Sequence, residues 1–319
     1  MQPGKFQGIR DGVGALCAAY DSAYWQKIDE ARGYPEAFVD ALTTAGWMAA
    51  LIPQEYGGSG LGLAEASVIM EEINRSGGNA GACHGQMYNM GALLRHGSAQ
   101  QKARYLPQIA SGALRLQAMG VTEPSTGTDT TRIKTSAVRQ GDRYLINGQK
   151  VWISRIQHSD LMILLARTTP LAEVKKKSEG MSIFIVDLHQ AIGNGLTVRP
   201  IRNMVNHETN ELFFENPEVP AENLIGVEGQ GFKYILDGLN AERTLIAAEC
   251  IGDGYWFVDK ASWEAANACL QTYGGFGFAC EYDVERKFRE TRLYQVAPIS
   301  TNLILSYVAE HVLGMPRSF

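Results

Sequence analysis

Two runs carry the residue types of a cofactor cradle: Met119-Gly120-Val121-Thr122-Glu123-Pro124-Ser125-Thr126-Gly127-Thr128-Asp129, and Asn147-Gly148-Gln149-Lys150-Val151-Trp152-Ile153-Ser154. The first ends an apolar stretch, Leu114 to Val121, predicted to be a short strand, in a loop whose Thr122 and Thr128 hydroxyls and backbone N–H groups can converge on a polar ligand. In the second, Asn147-Gly148 predicts a tight turn between residues 144–146 and 151–153, which would bring the Trp152 plane and the Ser154 hydroxyl beside that loop. A third candidate is Glu242. It lies in an apolar helical stretch between Leu236, Leu239, Leu245 and Ile246, where desolvation lifts a carboxyl toward the pKa of a general base. Its neighbour Arg243 leaves a structural Glu242–Arg243 surface pair open as the other reading.

These residues need elements to hold them. From about Asp11 to Ser111 apolar residues recur at three- and four-residue spacing, as in Phe38-Ala41-Leu42 and Val68-Ile69-Ile73, which predicts an all-α unit. Residues 52–62, with four glycines and Pro53, interrupt it as a shaped loop that could line a cleft. From Leu114 to Asn216 the period falls to two, with strand-like runs at 160–166, 182–187, 196–200 and 211–214. Helical spacing resumes at Gly231. The order α, β, α predicts an α+β fold: an N-terminal α domain (1–113), a central antiparallel, β-barrel-like domain (114–226) and a C-terminal α-helical region (227–319).

Composition narrows the function classes. With 319 residues and 45% hydrophobic content the chain can bury substantial cores. A net charge of −5 argues against a nucleic-acid footprint, and Lys175-Lys176-Lys177, flanked by Glu173 and Glu179, reads as solvated surface. No apolar run approaches the ~18 residues of a membrane span, and the first residues lack a signal-peptide core, so the cytoplasm is the default compartment. The five cysteines show no C-x-x-C spacing and read as reduced packing residues. The six histidines form no H-x-x-x-H pair, so no metal site is expected, and His84 and His158 read as packing histidines.

Five segments in order resemble the acyl-CoA dehydrogenase family, flavoproteins that desaturate acyl thioesters between Cα and Cβ. They are Ile52 to Gly62; Val121-Thr122-Glu123-Pro124 with Gly127-Thr128-Asp129; Asn147-Gly148 with Trp152-Ile153-Ser154; Asn240-Ala241-Glu242-Arg243; and Tyr273-Gly274-Gly275-Phe276-Gly277 with Glu281-Tyr282 and Val284-Glu285-Arg286. The resemblance implies FAD as cofactor, with Met119, Val121, Thr122, Gly127, Thr128, Trp152, Ile153 and Ser154 around the flavin. It assigns Gln271, Gly274 and Gly275, together with Ser300 and Asn302, to the remainder of FAD, the glycine segment commonly reaching a neighbouring subunit's cofactor. Taken alone, Gly-Gly-Phe-Gly is also an ordinary helix terminator. Thr128, Asn240 and Arg243 match positions near the acyl-CoA. By the same resemblance the chain forms a homodimer or homotetramer and passes electrons to an electron-transfer flavoprotein.

The family carries its proton-abstracting glutamate at one of two places. The loop position falls on Ala297 or Pro298 here, neither of which accepts a proton. The helix position falls on Glu242, which becomes the candidate base. Compared with the family, two bundle helices and their connections, roughly seventy residues, are missing where Lys260, Ala261 and Ser262 adjoin. Two readings follow: an FAD-dependent dehydrogenase using Glu242, or a catalytically impaired flavin- or acyl-CoA-binding protein of the same fold.

Overall fold

Apolar stripes at helical spacing build a first layer of six helices in a computed structural model that describes residues 6–258, 267 and 270–294. These are α1 (Gln7–Cys17), α2 (Ser22–Glu30), α3 (Glu36–Thr44), α4 (Leu63–Arg75), α5 (His84–His96) and α6 (Ala99–Ser111). Phe38 and Leu42 of α3 and Ile69 and Ile73 of α4 are fully buried in one core with Met70 and Met87. Between α3 and α4, residues 52–62 form a turn in which Gly57 and Gly60 take φ values of 86° and 63°, the left-handed region that favours glycine.

The period-two segments form a sheet of β1 (Ala118–Gly120), β2 (Ser136–Gln140), β3 (Arg143–Ser154), β4 (Leu161–Arg167), β5 (Met181–Asp187), β6 (Leu196–Pro200), β7 (Thr209–Pro220) and β8 (Leu224–Ile225). The strand order is β6-β7-β3-β2-β4-β5-β8, with β1 against β4. Ile163 and Leu165 of β4 pack toward the helices, while Met162 and Leu164 point into the opposite core. That second core gathers Ile146 of β3, Phe184 of β5 and Phe214 of β7, so the sheet curls around it in the expected barrel-like manner.

Three local expectations are corrected. The sheet is mixed, because β1 and β2 both pair with β4 in parallel; the long chain between Gly120 and Leu161 makes such a crossover possible. The strand expected over 114–121 shrinks to residues 118–120, since the backbone N–H groups of Arg115 and Gln117 are taken by the Asp160 and Ser159 side chains. Asn147-Gly148 is not a turn. It lies inside the 12-residue strand β3, whose hairpin with β2 turns at Gly141-Asp142. Gly148 is needed there for clearance: a Cβ would lie 2.6 Å from the Thr135 hydroxyl.

Two helices after the sheet bear on the site. α8 (Gly231–Val258) follows the short α7 (Leu188–Ala191) and the last strands, and α9 (Val284–Tyr294) comes last. α8 crosses α5 closely, with a Cβ on Gly91 only 3.5 Å from the Gly238 Cα. Against α4 the fit is tighter still, because a Cβ on Gly252 would meet the Glu71 carbonyl at 2.2 Å.

Candidate functional site

The segment after β1 and the end of β3 are held together by a buried ion pair. Lys150 Nζ lies 3.0 Å from Glu123 Oε1 and donates to the Val121 carbonyl at 2.9 Å. Glu123 also accepts from the Lys134 and Thr135 backbone N–H groups. Burial alone would raise the Glu123 carboxyl, but the Lys150 ammonium and these donors hold it below the usual carboxylate range. Val151 N–H then donates to the Thr122 carbonyl, and the two runs become one surface.

Beyond Lys150 the register of β3 against β7 shifts before Ile153. At this bulge Trp152 takes a φ of 63° and stands 59% exposed. A bulky residue in the left-handed region is a strained outlier held by its surroundings, and such strain concentrates at functional sites. Ser154 follows, its hydroxyl accepting from Asn206 at 2.9 Å.

A cavity of about 820 Å³ opens on this surface. The sheet side contributes Met119, Val121, Thr122, Gly127 and Thr128, together with Trp152, Ile153 and Ser154. Glu242 and Arg243 of α8 line another wall, and α9 contributes Arg286, Arg289, Glu290 and Leu293. All eight flavin-side candidates and the candidate base thus meet around one space. Asn240 does not line it; its side chain accepts from Arg243 at 2.7 Å. Gln271, Gly274 and Gly275 are exposed and outside the cavity lining, while Ser300 and Asn302 lie outside the described residues, as do Ala297, Pro298 and the junction at 260–262. The loop at 52–62 is shaped as expected, its backbone folding back onto Ala49, Ala50 and Ile52, and it is not part of this cavity's lining.

Glu242 is 7% exposed, and its Oε2 has no hydrogen-bond partner. Burial pushes its carboxyl up to about 7, with Arg243 and Arg155 opposing and Glu249 adding to the rise. The surface pair with Arg243 is not formed: among the described residues Glu242 has no ion pair. An unbonded carboxyl with a pKa near neutrality on a cavity wall has the properties of a general base.

Sequence reasoning passed over several neighbours. His84 lines the cavity while its Nδ1 lies 2.8 Å from Glu249 Oε1, two turns along α8 from Glu242. Tyr88 and Arg155 also line it. His158, by contrast, stacks on Tyr34 at 3.9 Å, in keeping with a packing histidine. Arg155 carried one legible signal, its place directly after Ser154; the His84–Glu249 pair spans 165 residues and had none.

The comparisons with known proteins agree with this architecture. The sequence profile of the acyl-CoA dehydrogenase N-terminal domain matches residues 5–113, and that of the middle domain matches residues 118–217. The chain belongs to the acyl-CoA dehydrogenase family. Cyclohex-1-ene-1-carbonyl-CoA dehydrogenase of Geobacter metallireducens is 36% identical over 239 residues, covering 74% of this chain and 61% of that relative. The chain therefore spans less than two thirds of that relative's length. Acyl-CoA dehydrogenase FadE12 of Mycobacterium tuberculosis is 27% identical, covering 98% of this chain and 97% of the relative over 391 positions. That is more than the 319 residues present, so the alignment must bridge gaps in this chain. The butyryl-CoA dehydrogenase of Megasphaera elsdenii shares the fold, with a TM-score of 0.84 at 21% identity over 98% of this chain and 99% of its own.

Proposed function

We propose that this chain desaturates an acyl-CoA thioester between Cα and Cβ, with Glu242 as the base and FAD as the oxidant. The observation that carries the reading is the buried, unpartnered Glu242 carboxyl on the wall of the cavity that the cradle residues line. The residues present suit FAD: Thr122 and Ser154 offer hydroxyls to a heteroaromatic edge, and the exposed Trp152 ring offers an apolar face. When bound, FAD supplies a two-electron acceptor for the Cβ hydride.

The protein's own part is proton transfer and enclosure. Glu242 Oε2 receives the Cα proton, and its raised pKa makes that transfer less uphill from a weak carbon acid than it would be to an ordinary carboxylate. Apolar neighbours such as Leu239 and Ile246 line the same space and limit water near the base. We further propose an electron-transfer flavoprotein as acceptor, a homo-oligomeric assembly in which residues 271–275 approach a neighbouring subunit's cofactor, and domain boundaries after residues 113 and 226.

An anaerobic titration tests this. Acyl-CoA should bleach the flavin of the FAD-loaded protein, and Glu242→Gln should lower the bleaching rate by at least a thousandfold while keeping FAD bound. Undiminished bleaching in the variant removes Glu242 as the base; no bleaching of the wild type by any acyl-CoA favours the non-catalytic binding protein.

A further inference from the structure

Two histidines on the cavity lining stand beside a carboxylate, and they differ in what each leaves over. His207 Nε2 lies 3.2 Å from Asp29, but Asp29 already has Arg289 at 2.6 Å, and the other ring nitrogen of His207 is buried with no partner. His84 Nδ1 lies 2.8 Å from Oε1 of Glu249, a fully enclosed carboxyl whose Oε2 has no hydrogen-bond partner. Among the described residues no Lys or Arg forms an ion pair with Glu249. A carboxylate buried in this way calls for a counter-charge, which an imidazolium supplies.

With Nδ1 turned to the enclosed Glu249, the edge of the His84 ring left to the cavity is the opposite one, which carries Nε2. The carboxylate fixes the ring, so Nε2 is the nitrogen that can give or take a proton there. Tyr88, whose ring centroid lies 5.3 Å from that of His84, has its phenol pushed up by burial and keeps its proton. Glu242 and Glu249 are seven residues apart on α8, so they share a face and stand about 10 Å apart along its axis. Ile246 lines the cavity between them. His84 thus meets an acyl group at a carbon other than the Cα that Glu242 serves.

We propose that His84, held by Glu249, is a second proton-transfer residue of this cavity and serves Cγ of an enoyl thioester while Glu242 serves Cα, so that the protein also moves a double bond from the β,γ to the α,β position. The inference rests on the acyl-CoA reading above and adds a redox-neutral activity of the same cavity. Glu242 removes the Cα proton of the β,γ-enoyl thioester, as it does in desaturation. The freed C–H electron pair forms the Cα=Cβ bond, and the former Cβ=Cγ pair takes the Nε2 proton of His84 at Cγ. One hydrogen leaves Cα, one joins Cγ, and no oxidant is used. Glu242 then holds a proton and His84 has lost one, and exchange with water restores both.

The test gives the FAD-loaded protein trans-3-hexenoyl-CoA deuterated at Cα, in ordinary water and without air, and locates the isotope in the product by NMR. The wild type should form the conjugated trans-2-enoyl thioester with solvent hydrogen at Cγ. His84→Gln keeps an N–H donor for Glu249 but no titrating nitrogen, and it should lower double-bond migration about a hundredfold relative to the release of Cα deuterium. An unchanged ratio in that variant overturns the proposal. So does Cα deuterium delivered to Cγ, because Glu242 alone would then perform both transfers. If His84→Gln does not fold, the isotope pattern of the wild type decides by itself. Release of Cα deuterium without migration overturns the role of His84 and leaves Glu242 as the base, whereas absence of both overturns the acyl-CoA reading along with it.

Discussion

Glu242 illustrates how one carboxyl trades stability for reactivity. Its pKa rises from the ordinary 4.5 to about 7 on folding, so between those values the unfolded chain has released a proton that the folded chain keeps. Stability therefore falls as pH rises across that window and does not recover above it. Glu242→Gln removes the cost of a buried charge, and at pH 8 it should stabilise the protein by about 2–3 kcal/mol. At pH 4, where both states hold the proton, the gain should vanish. Urea melts at the two pH values check this; equal effects at both would deny the raised pKa. In turnover, kcat/KM should climb along an acid limb with an inflection near pH 7, as Glu242 loses its proton.

Among the elements, β3 does most to shape the site, and Lys150 decides where its end lies. The ammonium is fully enclosed, and Glu123 is its ion-pair partner. Lys150→Met should cost about 3–5 kcal/mol, because it leaves Glu123 buried without its cation. Residues 119–128 would then keep the Val151–Thr122 backbone bond but lose the ionic tie to β3, and FAD content after purification should fall with stability. Pairing the change with Glu123→Gln should recover much of the loss, and a double-mutant cycle measures the coupling. A Lys150→Met protein that melts like wild type and keeps its FAD would show that the pair does not hold the cradle. The strand's alternation was readable in the sequence, yet the turn assigned to Asn147-Gly148 was not there. β3 continues because β7, more than sixty residues later, supplies a partner for both sides of that glycine.

At the scale of the molecule, α9 closes one wall of the cavity through a buried charge network. Lys287 is fully enclosed and lies 3.2 Å from Asp253 of α8 and 3.1 Å from Glu290, while donating to the Gly78 carbonyl at 2.8 Å. Arg289 ties the same helix to Asp29 of α2 at 2.6 Å. Lys287→Met leaves the buried Asp253 carboxyl without its cation, while Glu290 keeps Arg286 at 2.7 Å, and should cost about 3–5 kcal/mol. Hydrogen exchange should locate the loss in α9, with faster exchange there than in α4 or β4. Uniform acceleration across the protein would mean that α9 has no docking equilibrium of its own.

Several features were settled along the chain itself. Periodicity of two or of three to four residues dictates which face an element buries, so the α, β, α order, the cradle runs and the apolar setting of Glu242 were legible in the sequence by itself. Local sequence says nothing about which distant group arrives beside a side chain. Glu242 proved unpaired because Arg243 turns to Asn240, and the partner of the buried His84 is Glu249 because α5 crosses α8 at Gly91 and Gly238. Arg155 and Arg167 are the same residue type in the same region. Only the tertiary structure told them apart, by giving Arg167 four carbonyls and setting Arg155 in the cavity wall with the Gly81 carbonyl.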